Sequence, residues 1–217
     1  MKVIFVRHGQ TTENVVRRHQ PEHTPLSPLG RQQAEMAGER LTEVGVTHAI
    51  AGPLVRTLET ASLIARQLDV IPSIDYSVKE LERPLSLVGL KHQHYQSLVF
   101  YVLWYVGLAR TGESYAQIRG RVAQAKVNIE RLPSDSVVVV VTHAVFMSMF
   151  LAHICNPRMF TPIGAVRTFL SLISMKNTQM FEYTVEPGQT LCGWVRVHSE
   201  LTLPIEGTLG VNDLNLS

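Results

Sequence analysis

Two arginines and two histidines have the side-chain types and the positions that chemistry on a phosphate group requires. Arg7 and His8 follow an apolar run at the N-terminus, Arg56 lies early in a predicted helix, and His143 follows a run of valines. Guanidinium groups donate paired hydrogen bonds to phosphate oxygens. A neutral imidazole can attack phosphorus and form a covalent intermediate, and an acid can then protonate the leaving alkoxide. These four side chains would form a set suited to phosphoryl transfer if they converge.

The two histidines depend on two predicted strands for their positions. Residues 3–6 (VIFV) and residues 136–142 (SVVVVVT) are apolar, β-branched runs, typical of strands that are buried on both faces of a parallel sheet. His8 and His143 follow their carboxyl ends, where open α/β sheets bind ligands. Adjacent parallel strands lie about 4.8 Å apart, so the two histidines are expected to face each other.

Arg56 depends on a strand and on the helix that follows it. Residues 48–51 form a short predicted strand, and residues 54–68 form a predicted helix with Arg56 in its first turn. Helix N-termini bind anions, and a guanidinium group there strengthens the site. The second arginine is therefore expected at the same edge of the sheet as the histidines.

The rest of the chain alternates between helical and strand patterns. Ser27 can cap a helix that has Pro28 in its first turn and ends at Gly45. Further predicted elements are a strand at 70–74, helices at 113–132 and 144–154, and strands near 166–174, 179–185 and 191–198, the last two joined by a turn at 186–189. This order predicts an α/β three-layer sandwich with a mostly parallel central sheet, helices on both faces, and a C-terminal antiparallel hairpin at the edge.

Composition excludes several classes of protein. The 217 residues predict one domain over residues 1–199 and a tail over 200–217, and the net charge of +2 offers no broad field for nucleic acid or an anionic membrane. The longest apolar stretch, residues 97–109, is shorter than the about 20 residues that span a bilayer, and the N-terminal run is too short for a signal peptide. Cys155 and Cys192 are expected to be free buried thiols, so we expect a cytoplasmic protein.

Four sequence blocks in a fixed order carry a resemblance to a known family. They are RHGQTTEN (residues 7–14), LSPLGRQQA (26–34), PLVRTLETA (53–61) and VTH (141–143). With these blocks the chain resembles the histidine phosphatase superfamily, also called the phosphoglycerate mutase-like family, over roughly residues 2–151.

The resemblance implies a role for each of the basic residues. His8 would be the nucleophile that becomes phosphohistidine, and Arg7, Arg56 and His143 would bind the phosphate oxygens and stabilise the transferring group. Thr11 and Asn14 would contact the transferred phosphate or its ester oxygen, and the list of site residues is then Arg7, His8, Thr11, Asn14, Arg56 and His143. The family needs neither a metal nor a cofactor, and nothing in the sequence has metal-ligand spacing.

Two carboxylates compete for the role of the proton donor. The family places a glutamate after the third strand, where this chain offers Glu80 and Glu82. Glu80 fits the family pattern of an acid that is followed a few residues later by Arg-Pro, and Glu82 stays an alternative. Glu113 resembles another recurrent family position and is expected to cap a helix or to orient an active-site group.

Residues 80–112 lie where this fold builds its lid. His92 and His94 form an H-x-H pair without further ligands, so a metal site is the less favoured interpretation. Phe100, Tyr101, Trp104 and Tyr105 predict a buried lid helix or a dimer face, which leaves a homodimer open. A sharper hypothesis is that some of these rings, Trp104 among them, line a pocket for an apolar leaving group.

The departures from the family pattern decide between the possible functions. The chain has AGPL at residues 51–54, where many members have a serine before the second arginine. It also lacks the Glu-Arg-His-Tyr-Gly signature of the bisphosphoglycerate-dependent mutases. The leading prediction is a phosphatase that acts on a small-molecule phosphate ester. A phosphomutase and a catalytically inactive phosphate-binding protein are the alternatives.

Overall fold

A central six-stranded sheet organises the protein in the computed structural model, which describes residues 1–156, 158, 161–186, 192–199 and 201. The strands are β1 (Lys2–Arg7), β2 (His48–Ala51), β3 (Pro72–Ile74), β4 (Val137–Thr142), β5 (Met180–Val185) and β6 (Trp194–Val197). Their order is β3-β2-β4-β1-β5-β6. The first four strands are parallel, and β5 and β6 form an antiparallel pair at the edge. The predicted α/β fold is thus confirmed.

Seven α-helices occur in the described part of the chain. They are α1 (Thr12–Val15), α2 (Pro28–Leu41), α3 (Val55–Leu68), α4 (Tyr95–Tyr105), α5 (Tyr115–Glu130), α6 (Ala144–His153) and α7 (Pro162–Ser174). Ser27 caps α2 as predicted, since its hydroxyl accepts the N–H of Gly30 at 3.0 Å. A 3-10 turn continues α2 to Gly45, whose φ of 73° ends the helix in the left-handed region.

The core consists of two layers, one on each face of the sheet. On β1, Val3 and Phe5 pack with α5 and α6, whereas Ile4 and Val6 pack with α2 and α3. The valines of β4 alternate in the same way, and residues 138–141 are completely buried. This two-sided burial explains the unbroken apolar runs, because a polar side chain on either face of these strands would be buried without a partner.

The strand predicted near residues 166–174 is wrong, because these residues form helix α7. Thr161 is the N-cap, and its hydroxyl accepts the N–H of Gly164 at 3.1 Å. Pro162 occupies the first helical position, where its missing N–H has no consequence. The cap and the proline at the start of the helix therefore outweighed the β-branched residues of the segment, because such residues give only a weak preference for β structure.

The prediction of two free buried thiols is also wrong. Cys155 and Cys192 form a disulfide whose Cα atoms are 5.2 Å apart, and Cys155 lies at the surface. The two residues are separated by 37 positions, and the hairpin returns the chain from α7 to the end of α6. Because the two cysteines are paired, they no longer support the expectation of a reducing compartment.

The lid region contains helix α4, in the segment where the sequence predicted a buried lid helix or a dimer face. Helix α4 buries Phe100 and Trp104 but exposes Leu98, Val99 and Val102. Trp104 packs edge-on against Tyr115 at a ring distance of 4.9 Å and belongs to the core, and the pocket for an apolar leaving group stays a prediction. Two further predictions lie outside the described residues. They are the turn at 186–189, of which only Glu186 is described, and the tail at 200–217, of which only Leu201 is described.

Candidate active site

The carboxyl ends of β1 and β4 bring the two histidines together. Arg7 pairs in register with Thr142, and the N–H of His8 donates to the carbonyl of Thr142 at 3.0 Å. The ring centroids of His8 and His143 are consequently 5.2 Å apart. The expectation from the strand ends is confirmed, since neighbouring parallel strands leave their first loop residues side by side.

His8 has one ring nitrogen engaged and the other free of protein partners among the described residues. Its Nδ1 lies 2.7 Å from the carbonyl oxygen of Gly9, so Nδ1 carries the proton and donates it. Burial lowers the pKa of His8 well below its usual value, and the positive charges of Arg56 and Arg7 lower it further. The ring is therefore neutral at physiological pH, with a lone pair on Nε2.

The loop after β1 is fixed by a close approach of two backbones. A Cβ atom on Gly9 would lie 2.3 Å from the carbonyl oxygen of Gly30, and one on Gly30 would lie 2.0 Å from the carbonyl oxygen of Gln10. Only glycine fits at both positions. This contact presses the loop that carries His8 against the start of α2, which limits how far the imidazole can move.

Arg7 and Arg56 are both buried, with 5% and 4% of their surface exposed. Arg7 donates from Nη1 to the carbonyl of Met175, and Arg56 donates from Nη1 to the carbonyl of Pro21 at 3.2 Å. Neither Nε has a partner in the described residues. Burial lowers the pKa of each to about 10, against an opposing effect of Glu80, so both stay charged at neutral pH.

His143 is fully buried, and neither of its ring nitrogens has a hydrogen-bond partner in the described chain. Burial lowers its pKa well below the usual value, and the charge of Arg56 acts in the same direction. Gly52 leaves room for the ring, since a Cβ atom there would lie 3.3 Å from Nε2. An unpartnered, buried polar ring is costly unless a ligand satisfies it, so its place beside His8 indicates a binding site.

Glu80 lies at the N-terminus of α6 and is 9% exposed. Its Oε1 accepts the N–H groups of Leu81 at 2.9 Å and of Phe146 at 3.1 Å. Glu82 has a different environment, because it pairs with Lys79 at 2.8 Å and its side chain is 55% exposed. Both bonds to Glu80 go to Oε1, and Oε2 has no hydrogen-bond partner among the described residues.

Glu113 and Arg121 fix the loop that carries Glu80. The carboxylate of Glu113 accepts Nε and Nη2 of Arg121, both at 2.6 Å, and Nη1 of Arg121 reaches the carbonyl of Lys79 at 2.7 Å. The predicted orienting role of Glu113 has a structural basis in this pair, whereas the cap of α5 is Ser114. The role of Arg121 was not predicted, because nothing in the sequence of a helix shows which distant groups an arginine will contact.

Thr11 and Asn14 form the short turn after the His8 loop. Thr11 caps α1, and Asn14 Oδ1 accepts the backbone N–H of Thr11 at 3.1 Å. Asn177, which the sequence did not single out, donates from Nδ2 to Asn14 Oδ1 at 3.3 Å and to the carbonyl of His8 at 3.2 Å. The Asn14 oxygen is thus satisfied by protein groups, and its NH2 group is the part that can donate to a ligand.

The two histidines of the lid make separate contacts. His94 accepts the N–H of Gln96 at 3.3 Å and caps α4, whereas the ring of His92 lies tilted against that of His19 at a centroid distance of 4.6 Å. The described residues contain no group of three or more His, Cys, Asp or Glu side chains that could hold a metal ion. In the same part of the chain, none of the helices has the length and apolar character needed to cross a bilayer.

Comparison with known proteins relates this geometry to a family. The profile of the histidine phosphatase superfamily, branch 1, matches residues 3–184. A protein of Salmonella typhi named "Probable phosphoglycerate mutase GpmB" is 29% identical over 204 residues, which cover 90% of each chain. The solved structure of the Mycobacterium tuberculosis open reading frame Rv3214 has a TM-score of 0.71 at 26% identity and covers 93% of this chain and 97% of its own.

A second solved structure shares the fold at lower identity. The mycobacterial glucosyl-3-phosphoglycerate phosphatase Rv2419c, in complex with VO3, has a TM-score of 0.71 at 22% identity, with 90% of this chain and 96% of that chain covered. The matched residues 3–184 include both arginines, both histidines and Glu80. The chain belongs to the histidine phosphatase superfamily, branch 1.

Proposed function

We propose that the protein hydrolyses small phosphate monoesters through a phosphohistidine intermediate on His8, without a metal or a cofactor. One observation carries the proposal: the Nδ1 proton of His8 is held by Gly9, so the neutral ring has its lone pair on Nε2. The ring lies in the field of two buried arginines, Arg7 and Arg56, which suit the oxygens of a phosphate dianion.

The first step transfers the phosphoryl group to the protein. The Nε2 lone pair of His8 forms a bond to phosphorus while the bond from phosphorus to the ester oxygen breaks. Glu80 delivers a proton from Oε2 to the departing alkoxide and becomes a carboxylate. Arg7, Arg56 and His143 bind the three non-bridging oxygens, and the NH2 group of Asn14 donates at the edge of the same site, while the hydroxyl of Thr11 donates to Asn14 Oδ1 at 3.1 Å and holds that amide in place.

The second step restores the enzyme. Water enters where the alcohol departed, and Glu80 removes one of its protons as the oxygen attacks phosphorus. The bond from phosphorus to Nε2 breaks, inorganic phosphate leaves, and His8 regains its lone pair. Glu80 ends protonated, ready for the next ester, so protons and charges balance over the cycle.

Phosphate release from an aryl phosphate by wild type, His8→Ala and His48→Ala tests this function. His48 lies at the start of β2, beside Val138 and at the opposite edge of the sheet from His8 and His143, so its substitution controls for the loss of a histidine. We expect activity in wild type and in His48→Ala with a chelator present, and a loss of at least about 1,000-fold in His8→Ala. Acid-labile, base-stable phosphate on His8 after rapid quenching is the expected second readout.

Two results would contradict the proposal. Equal turnover by wild type and His8→Ala would exclude the histidine nucleophile. Binding of phosphate esters without any turnover by wild type would instead favour a phosphate-binding protein that lacks the chemistry.

A phosphomutase is the second candidate, and the relative of Salmonella typhi with a mutase name favours it. A mutase must keep the phosphohistidine and return the phosphoryl group to a second hydroxyl. Incubation with a phosphoglycerate and a catalytic amount of bisphosphoglycerate separates the two functions. Isomerisation that exceeds phosphate release would identify a mutase, whereas release of phosphate alone supports the hydrolase.

A further inference from the structure

Arg83 is a half-buried guanidinium that one protein hydrogen bond orients. Its Nε donates to the hydroxyl of Tyr101 at 2.8 Å. Within the part of the chain that the structure describes, no carboxylate pairs with its two terminal NH2 groups. Lys79, four residues earlier, is by contrast neutralised by Glu22 and Glu82, each at 2.8 Å. Arg83 therefore presents a fixed fork of donors that no carboxylate of the described residues contacts.

Two histidines complete a lid cluster with this pair, which we define as Arg83, Tyr101, His19 and His92. The ring of His19 lies 6.2 Å from that of Tyr101 and 4.6 Å from that of His92. His19 is 2% exposed, and its Nδ1 has no hydrogen-bond partner among the described residues. The His19 ring donates from Nε2 to Ser97 and so leaves a lone pair on Nδ1. The terminal NH2 groups of Arg83 are donors for which the described residues offer no carboxylate, and these donors are what an anionic ligand would satisfy.

The lid cluster is continuous with the phosphate site. The N–H of His19 donates to the carbonyl of Leu90 in the lid at 2.9 Å, and two residues later the carbonyl of Pro21 accepts Arg56 at 3.2 Å. One short segment thus connects the two places. The charge of Arg83 is also felt there, because it contributes to the lowered pKa values of Arg56 and His143.

The position of Glu80 shows which part of a substrate would meet the cluster. Arg83 follows Glu80 by three residues in the same loop. Glu80 is the group assigned above to protonate the leaving oxygen, so the leaving group must lie beside this loop. The transferred phosphate already has Arg7 and Arg56, and a further guanidinium group on the leaving-group side suits a different anion.

We propose that Arg83, supported by the lid cluster, binds a second anionic group that the leaving group of the substrate carries, a carboxylate or a phosphate. This inference rests on the proposed phosphatase function. It makes the preferred substrates esters with two separated negative charges. The terminal NH2 groups of Arg83 would donate to two oxygens of that second anion, while Tyr101 keeps the guanidinium plane in place.

Three esters with the same three-carbon chain test the proposal. They are 3-hydroxypropyl phosphate, 3-phosphonooxypropanoate and propane-1,3-diyl bisphosphate, which end in a hydroxyl, a carboxylate and a second phosphate. We would measure kcat/KM for wild type, Arg83→Gln, Arg83→Lys and Arg110→Gln. Arg110 is an exposed arginine of the same lid, so its substitution removes an equal charge outside the cluster.

We expect wild type to prefer one or both charged esters over the hydroxyl ester. Arg83→Gln should lose about 10- to 100-fold in kcat/KM on the preferred ester, mainly through KM, and less than about 3-fold on the hydroxyl ester. The kcat/KM of Arg83→Lys on the preferred ester should lie between those of wild type and Arg83→Gln, because lysine keeps the charge but lacks the paired donors of a guanidinium group. Arg110→Gln should match wild type. Whether the carboxylate or the phosphate ester responds identifies the second anion.

Equal losses on all three esters, or no loss on any, would overturn the role of Arg83 and leave the phosphatase function standing. Titration calorimetry of the esters with His8→Ala, with and without Arg83→Gln, measures binding apart from turnover. If wild type releases no phosphate while Arg83→Gln still weakens binding of the charged esters selectively, the proposed function fails and the binding position survives. Thermal melts of each variant identify a folding defect.

Discussion

Oε1 of Glu80 accepts the backbone N–H of Phe146 at 3.1 Å and so caps helix α6 from a distant loop. His143, the N-cap residue by position, makes no capping bond with its side chain. The carboxylate takes over the role that a serine or an aspartate has at other helices, which leaves the His143 ring for a ligand. One contact therefore holds Glu80, the proposed acid, in place and leaves the ring of His143 able to bind a phosphate oxygen.

Replacing Glu80 with glutamine should remove the proton donor while it keeps the fold. Glutamine retains a carbonyl oxygen that can accept the N–H groups of Leu81 and Phe146. We expect kcat/KM, which reports the first step alone, to fall by roughly 10²- to 10⁴-fold on an alkyl phosphate and far less on 4-nitrophenyl phosphate, whose leaving group needs no proton. Steady-state kinetics on both esters measure the contrast.

The matched control for that prediction is Glu82→Gln. This exposed carboxylate pairs with Lys79 and should change kcat by less than about 2-fold. If Glu82→Gln shows the selective loss on alkyl esters and Glu80→Gln does not, the assignment of the acid is reversed.

Replacing Glu113 with glutamine should weaken catalysis through position alone. Arg121 makes two bonds of 2.6 Å to the Glu113 carboxylate, and the neutral amide would keep only one acceptor oxygen and no charge, so the hold of Arg121 on the carbonyls of Ser77 and Lys79 would loosen. We expect kcat on alkyl esters to fall about 10-fold with little change in KM, because Glu80 meets the leaving oxygen less often. A shifted pH profile of kcat is the second readout, and a lower melting temperature with unchanged kcat would reduce Glu113 to a structural residue.

The buried His19 should make the fold sensitive to acid. Burial lowers its pKa to about 3, and Arg83 and His92 act in the same direction, whereas an unfolded histidine has a pKa of about 6.5. At a pH between these two values, His19 binds a proton in the unfolded chain but stays neutral in the folded protein. The free energy of unfolding should therefore be highest above pH 6.5 and fall as the pH falls toward 3.

Urea denaturation of wild type and His19→Gln between pH 7.5 and pH 4.5 measures that effect. Glutamine can still donate to Ser97, which His19 Nε2 contacts at 2.9 Å, but it does not titrate. The variant should lose less stability than wild type over this range. Parallel curves for the two proteins would show that His19 takes up its proton without unfolding.

Loss of the disulfide should lower stability. The bond joins residues 155 and 192 and restricts the unfolded chain over a separation of 37 positions. We expect the double variant Cys155→Ser, Cys192→Ser to lose about 2–4 kcal/mol, or roughly 5–15 °C in melting temperature. By calorimetry, reduction of wild type should lower the melting temperature by about as much as the double substitution does. Two titratable thiols in the native, unreduced protein would contradict the pairing.

Local sequence patterns determined the framework of the site. The apolar runs of β1 and β4 have no polar residue for either face, so they had to be central strands, and their ends had to carry His8 and His143 to one edge. Ser27 and Pro28 marked a helix start through their own backbone chemistry. The four family blocks then assigned roles that spacing alone left open.

Only the tertiary structure decided which distant groups meet. The bonds of Arg121 to Glu113, of Asn177 to His8 and of Arg83 to Tyr101 join helices and loops that no sequence period relates. The disulfide was missed for the same reason, since the return of the chain brings the two cysteines together. Helix α7 was missed for a local reason, because the cap at Thr161 outweighed a weak preference for β structure. Periodicity reports which face of an element is buried, whereas long-range polar pairing depends on where whole elements pack.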